Sequence, residues 1–279
     1  MGFRSVESGH WNFMTRPIIQ MPLLKPLAFF CTDENLTQSK ILDDSLRTLR
    51  QCRGPDASVE VTMSHWMMKN GVQTEPYSWS VLAKLSRSKP RRLKTILTRS
   101  ESFKIAEKVI PEFSTRMFDH AKLVQLATFV SNGSGEIRKS EAFTQPDRDG
   151  MRTRFIRSQM VMSRIEEILE AINESGNGQH PSLRAIWVML AFLNCHPYAD
   201  GNGRTAKFLF NLILAKSDIS SEYLLPLSSI TLGSQGFFEI CARRAQLQDS
   251  FDMILKFLET AIALTKMCFE DQPYVFQTR

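Results

Sequence analysis

Residues 180–216 read HPSLRAIWVMLAFLNCHPYADGNGRTAKFLFNLILAK, and this stretch decides the fold class. Ser182–Cys195 is almost wholly apolar apart from Arg184 and Asn194, which predicts a helix buried on most sides. Pro181 stands at its start, where a missing N–H costs nothing. His196-Pro197 stops it, because the residue before a proline is pushed out of helical geometry. Arg204–Lys216 resumes a helix, again apolar through Phe208, Leu209, Phe210, Leu212, Ile213 and Leu214. Two buried helices therefore flank one polar, glycine-rich loop.

Outward from this pair the pattern stays helical. Met160–Asn173 reads as an amphipathic helix closed by the loop 174–178. Helical periodicity begins near Ser102, and Phe118, Ala121, Val124, Leu126 and Val130 mark a helix that ends in the turn 131–135. Gly135 to Gln145, closed by Pro146, is a short irregular or extended piece. Two more helices are expected near Gly236–Leu247 and Phe251–Met267. Strands are nearly absent, so the class is all-α. Upstream, Pro17, Pro22, Pro26, Gly54-Pro55 and Pro76 chop the pattern, leaving Ser39–Cys52 and Thr62–Asn70 as helical candidates. The expected division is an N-terminal region over 1–100, of unassigned role, and a catalytic domain over 101–279.

At 279 residues, 43% hydrophobic and 23% charged, the composition is that of a globular protein with a sizeable core. Thirty-five Lys+Arg against 29 Asp+Glu give a net charge of +6, which favours anionic partners without choosing one. A basic run holds Lys84, Arg87, Lys89, Arg91, Arg92, Lys94 and Arg99. It reads first as a solvated linker and helix face, and second as a contact for nucleic acid or an acidic protein. Five scattered cysteines show no CxxC or Cys/His spacing, which disfavours structural zinc and a disulfide framework and suits a reducing compartment. The apolar stretch Pro17–Cys31 is too interrupted for a membrane span or a signal peptide. Gly2 fails the myristoylation pattern because Val6 stands where Ser or Thr is needed. A cytoplasmic site follows, in the producing cell or in one into which the chain is delivered.

The chemistry is concentrated in the loop His196-Pro197-Tyr198-Ala199-Asp200-Gly201-Asn202-Gly203-Arg204. Gly201, Asn202 and Gly203 run straight into a helix. Their N–H groups and the positive helix end make an anion site suited to phosphate. Arg204 on the first turn can grip a phosphate in bidentate fashion, and Lys207 lies one turn on along the same face. Asp200 offers the hard oxygen that Mg²⁺ takes when it also holds phosphates. His196, fixed at a helix end, titrates in the range of a base working near neutrality. Each feature alone is an ordinary turn or cap, but in this order they describe a phosphoryl- or nucleotidyl-transfer site. A P-loop and a Rossmann fingerprint are both absent.

At these residues the chain resembles the Fic family, whose signature is His-Pro-Phe-x-(Asp/Glu)-Gly-Asn-Gly-Arg-x-x-Arg. The likeness extends over roughly Ser102 to Met267. His180-Pro181 with Arg184-Ala185 resembles the start of the helix before the loop. Gly135-Glu136-Ile137-Arg138 resembles the opening of the family's flap. Leu225-Pro226-Leu227-Ser228 and Phe237-Phe238 resemble the segment after the catalytic helix. The resemblance implies a helical core with a short β-hairpin flap, and transfer of AMP from ATP to a Ser, Thr or Tyr hydroxyl of a target protein. It further implies that His196 is the base, Asp200 the Mg²⁺ ligand, Gly201, Asn202 and Gly203 the phosphate cradle, and Arg204 a β-phosphate contact. The flap, at Arg138, Lys139, Ser140 and Glu141, would dock an extended target segment by strand addition.

Two positions depart from the signature. Tyr198 replaces Phe, and its hydroxyl needs a partner if buried. Lys207 replaces the last Arg, which leaves room for transfer of phosphocholine or phosphate, although Gly203 stands where the phosphate-transferring Doc type carries Lys. The inhibitory motif (Ser/Thr)-x-x-x-Glu-(Gly/Asn) is not met. Glu34-Asn35 is the one matching dipeptide, and Phe30 stands where Ser or Thr is required. A separate inhibitory partner, as for a toxin, or unrestrained action, as for an effector, is then expected. The rival class is a non-catalytic adaptor that binds nucleic acid or acidic protein through the basic run. Removal of AMP ranks lower, because it calls on the inhibitory glutamate.

Overall fold

The computed structural model describes residues 18–49, 58–70, 99–131, 135–144, 152–174, 180–217, 219, 224–234 and 236–271. Lys84 to Lys94 of the basic run, Gly2, Val6, Cys52, and most of the turns at 131–135 and 174–178 lie outside them. The described residues form ten α-helices: α1 (Asp33–Thr48), α2 (Val59–Asn70), α3 (Ser100–Ser114), α4 (His120–Val130), α5 (Val161–Asn173), α6 (Pro181–Cys195), α7 (Asn202–Lys216), α8 (Leu227–Gly233), α9 (Phe237–Gln248) and α10 (Asp252–Glu270). One small sheet joins them, of β1 (Ile18–Gln20) and β2 (Arg152–Arg154). The class is all-α, as the apolar pattern predicts.

Helix α6 is the axis of the molecule. Twelve of its 15 residues are buried. With each fully buried large apolar side chain worth roughly 1.5–3 kcal/mol, the segment that ends at His196 is firmly anchored. Its first turn is fixed from α1: the Asp43 carboxylate accepts from the Ser182 N–H at 3.1 Å, and the Ser39 and Ser182 hydroxyls meet at 2.7 Å. Helix α1 begins six residues before the expected Ser39, because Thr32 accepts from the Asn35 N–H and Asp33 and Glu34 favour the positive end of the helix. Leu42, Leu46, Met63 and Met67 join the same hydrophobic cluster as Phe192, Phe208 and Phe257, so α1 and α2 share one core with the C-terminal helices.

Helix α3 runs beside α7 in the same direction. The Phe103 and Phe208 rings lie 6.0 Å apart, and farther along both helices Lys216 Nζ donates to the Arg116 carbonyl at 2.8 Å. Two buried carboxylates cap helix starts across this region. Glu107 on α3 accepts from Ser58 Oγ and from the N–H groups of Val59 and Glu60 at the start of α2. Glu60 in turn accepts from the N–H groups of Ser228 and Ser229 at 2.8 and 2.7 Å. Burial raises both pKa values, that of Glu107 to about 7, with the neighbouring Glu60 adding to the push.

The flap is a hairpin of few bonds. Phe143 bridges Arg154 in antiparallel fashion, Thr144 N donates to Thr153 O, and Phe155 N donates to Ala142 O. Strand β1 covers the other edge of β2 in parallel register, Ile18 opposite Arg152 and Gln20 opposite Arg154. No sequence period announces β1, a three-residue strand between Pro17 and Pro22. Among the described residues, no helix is long and apolar enough to cross a membrane. The described cysteines, Cys31, Cys195, Cys241 and Cys268, are free.

Candidate active site

The loop 196–204 is folded by its own backbone chemistry. His196 adopts φ 48°, a left-handed conformation uncommon outside glycine and asparagine, while its N–H still donates to the Phe192 carbonyl at 2.9 Å. Such a residue persists only when its surroundings over-determine it. Here Arg138 does so. Its backbone N–H donates to Pro197 O, Nε to His196 O at 2.8 Å, and Nη2 to Cys195 O and Ile156 O. Nη1 reaches Ser140 O at 2.8 Å. The guanidinium thus ties the flap to the end of α6 by its full fork, which a lysine could not do.

Asn202 closes the loop from the other side. Its Oδ1 accepts from the Tyr198 N–H at 2.9 Å and its Nδ2 donates to the Tyr198 carbonyl at 2.6 Å. Its side chain is therefore committed to the fold, and its backbone N–H is what remains for a ligand. Gly201 sits at φ 84°, and a Cβ there would fall 2.5 Å from Ser131 Cβ, so the close approach to α4 requires glycine. Gly203 differs: a Cβ would meet nothing within 4 Å. The first N–H groups of α7 have no acceptor in their own helix, and Gly201 supplies no side-chain cap. Tyr198 is buried, and its hydroxyl has no partner among the described residues.

Beside this loop lies a cavity of 390 Å³. His196, residues 199–204 and Lys207 form one wall, and Arg99, Phe103, Ser228 and Leu232 line it as well. The structure thus brings the base candidate, the metal-ligand candidate, the cradle and both cation candidates to a single cavity. Arg204 pairs with Asp200 at 2.8 Å, its side chain 17% exposed against 51% for the carboxylate. The half-buried Lys207 ammonium lies 5.4 Å from the Phe238 ring centre. Burial lowers its pKa, and Glu239 and Glu60 oppose the shift.

His196 is half-buried and stacks on Phe155, ring centres 3.9 Å apart and planes 13° from parallel. Burial first, and the Arg138 charge second, lower its pKa to about 4. The imidazole is neutral at pH 7 and free to accept a proton. Of the flap candidates, Arg138 spends its guanidinium on carbonyls within the protein. Glu141 Oε1 accepts from the Ser158 N–H at 3.2 Å, and Lys139 and exposed Ser140 lie between them. Residues 142 and 144 turn their backbone groups toward β2, so by strand alternation Glu141 and Phe143 direct theirs to the opposite edge.

Sequence reasoning left out Phe155, Ser228 and Arg99 as parts of the site. Phe155 and Ser228 come from segments without periodicity. Arg99 was legible only as the last member of a basic run.

Residues 113–214 match the model of the Fic/DOC family. This span contains the loop, all of α6 and all but the last two residues of α7, so the resemblance seen in residues 196–207 holds over the core of the site. The fold is similar to a solved Fic family protein from Desulfovibrio desulfuricans G20, at 13% identity and a TM-score of 0.50 over 91% of this chain and 72% of that one. It is also similar to a Fic domain containing signaling protein from Bacteroides thetaiotaomicron VPI-5482, at 14% identity and a TM-score of 0.52 over 87% of this chain and 100% of that one. No curated protein matches the chain in sequence. The fold is thus a Fic fold, and the matched family is one of transferases that move nucleotide or other phosphate-containing groups.

Proposed function

We propose that this protein transfers AMP from ATP to a Ser, Thr or Tyr hydroxyl of a target protein. The observation that carries the reading is the shared cavity, in which a neutral histidine and a helix-end anion cradle face the same space. The α-phosphate of ATP would lie against the N–H groups that open α7, with Arg204 and Lys207 on the phosphates beyond it. His196 would take the proton from the target hydroxyl as its oxygen bonds to the α-phosphorus. The bond from that phosphorus to the bridging oxygen breaks, and pyrophosphate leaves. The phosphate charge in the cavity would raise the His196 pKa from about 4 toward the working range of a base.

Among the described residues, no group of three His, Cys, Asp or Glu side chains forms a metal cage. Asp200, a single half-exposed carboxylate at the cradle, instead fits the way Mg²⁺ binds, through one or two carboxylates and the substrate's phosphates. Bound there, the ion would neutralise phosphate charge and orient the chain for in-line attack. Asp200 would have to loosen its pair with Arg204, which frees that guanidinium for phosphate. Among the described residues the outer edge of the flap, at Glu141 and Phe143, is uncovered, which supports docking of an extended target segment close to His196.

The reading is tested by pyrophosphate release. Purified protein with ATP, Mg²⁺ and a lysate as target source should release pyrophosphate in step with modified protein, and His196→Ala should abolish both. ATP consumption that yields ADP instead would overturn it, and silence with ATP alongside turnover of CDP-choline would move the function to phosphocholine transfer.

A further inference from the structure

The cradle is half of the cavity, and the other half carries charge and donors that no role yet uses. Arg99 is the N-cap residue of α3, and its side chain caps nothing. Among the described residues its guanidinium has neither a hydrogen bond nor an ion pair, yet it lines the cavity. The packing of α3 explains how it arrives there. Since α3 and α7 run in the same direction with Phe103 beside Phe208, Arg99, four residues before Phe103, stands level with Arg204, four residues before Phe208. Two helix N-termini therefore open side by side, and both place positive potential at one cavity.

A second, independent feature points the same way. Ser228 is 2% exposed and lines the cavity, and its Oγ has no hydrogen-bond partner among the described residues. Buried hydroxyls are ordinarily satisfied, so an orphan on a cavity wall marks a place where a ligand atom belongs. Its backbone N–H is held by the buried Glu60 carboxylate, which fixes the residue's place on the cavity wall. Lys207, on α7, lines the same cavity. It is a single point charge and cannot form the two parallel bonds of a guanidinium.

We propose that Arg99 and Ser228, with Lys207, form a second anion-binding wall that takes the terminal phosphate of a nucleoside triphosphate lying on the Gly201–Arg204 cradle. The inference rests on the nucleotide-transfer reading and adds to it the selection of triphosphate over diphosphate. Arg99 supplies the forked contact that Lys207 lacks, and Ser228 a neutral donor to the same group. The basic run thus ends in a binding residue.

The test measures binding rather than turnover. Calorimetric titration of the full chain with an ATP analogue that resists cleavage between its α- and β-phosphates, and with ADP, is compared among wild type, Arg99→Gln, Arg99→Lys and Ser228→Ala. Arg99→Gln should weaken the ATP analogue roughly tenfold or more, with ADP held within about twofold. Arg99→Lys should fall between, and Ser228→Ala should lose a few-fold for the ATP analogue without lowering the unfolding temperature. Equal losses for both nucleotides in Arg99→Gln, or no loss for either, would overturn this wall and leave the cradle standing. A wild type that binds neither nucleotide would overturn the nucleotide reading and the wall with it.

Discussion

Acid should weaken this protein partly through His196, and the size of that effect follows from the site. In the folded chain burial and the Arg138 charge hold the imidazole pKa near 4, against 6.5 for an ordinary histidine. Below pH 6.5 the unfolded chain binds a proton that the folded chain refuses. The stability is therefore fully present above 6.5 and is lost as the pH falls toward 4. Integrated from about pH 7.5 to about pH 4.5, this one residue accounts for roughly 2–3 kcal/mol. Glu60, Glu107 and Asp43 act in the opposite sense, since their raised pKa values add stability as they protonate. A comparison with a variant cancels them. His196→Asn suits, because asparagine tolerates the left-handed backbone at this position. Urea unfolding of both proteins at the two pH values should show wild type losing roughly 2–3 kcal/mol more than the variant. Parallel losses would mean that His196 is not held neutral by its surroundings, and the account of the base would fail with it.

Other consequences are as direct. Tyr198→Phe removes a buried hydroxyl without a partner, so it should stabilise by about 1 kcal/mol and raise the melting temperature by a few degrees, as scanning calorimetry would show. Gly201→Ala and Gly203→Ala should part company. The first forces a Cβ against Ser131 at positive φ and should destabilise by about 2 kcal/mol or more. The second meets open space and should leave stability unchanged or up to about 1 kcal/mol higher, while the added methyl blocks nucleotide binding in titration. Arg138→Lys keeps the charge and loses the fork that holds the His196 carbonyl. Steady-state kinetics should show kcat down by about tenfold or more with nucleotide KM nearly unmoved.

The helical class and the loop were legible because their signals are local. His196 to Lys207 are only twelve residues of chain, and a helix end, two glycines and the charges beside them carry their chemistry wherever they stand. Most helices were legible for the same reason, through apolar spacing. Helix α8 was not marked as a helix, since Leu227–Gly233 is too short for a period to show. The start of α1 depends on a cap at Thr32 that lies outside the apolar pattern. What the sequence hides is pairing at a distance. Phe155 against His196, Arg138 beneath the loop, and Glu60 at the start of α8 each join segments dozens of residues apart. Arg99 is the clearest case: its sequence neighbours are a run of cations, and only the parallel packing of α3 on α7 brings it to the cavity wall.

The most direct test follows the label. Protein and target lysate are incubated with Mg²⁺ and ATP labelled at the α-phosphate in one sample and the γ-phosphate in the other, with His196→Ala alongside. Transfer of AMP requires α-label on protein, no γ-label, and loss of the signal in the variant. Stable γ-label on protein, or α-label that persists without His196, would contradict the central claim.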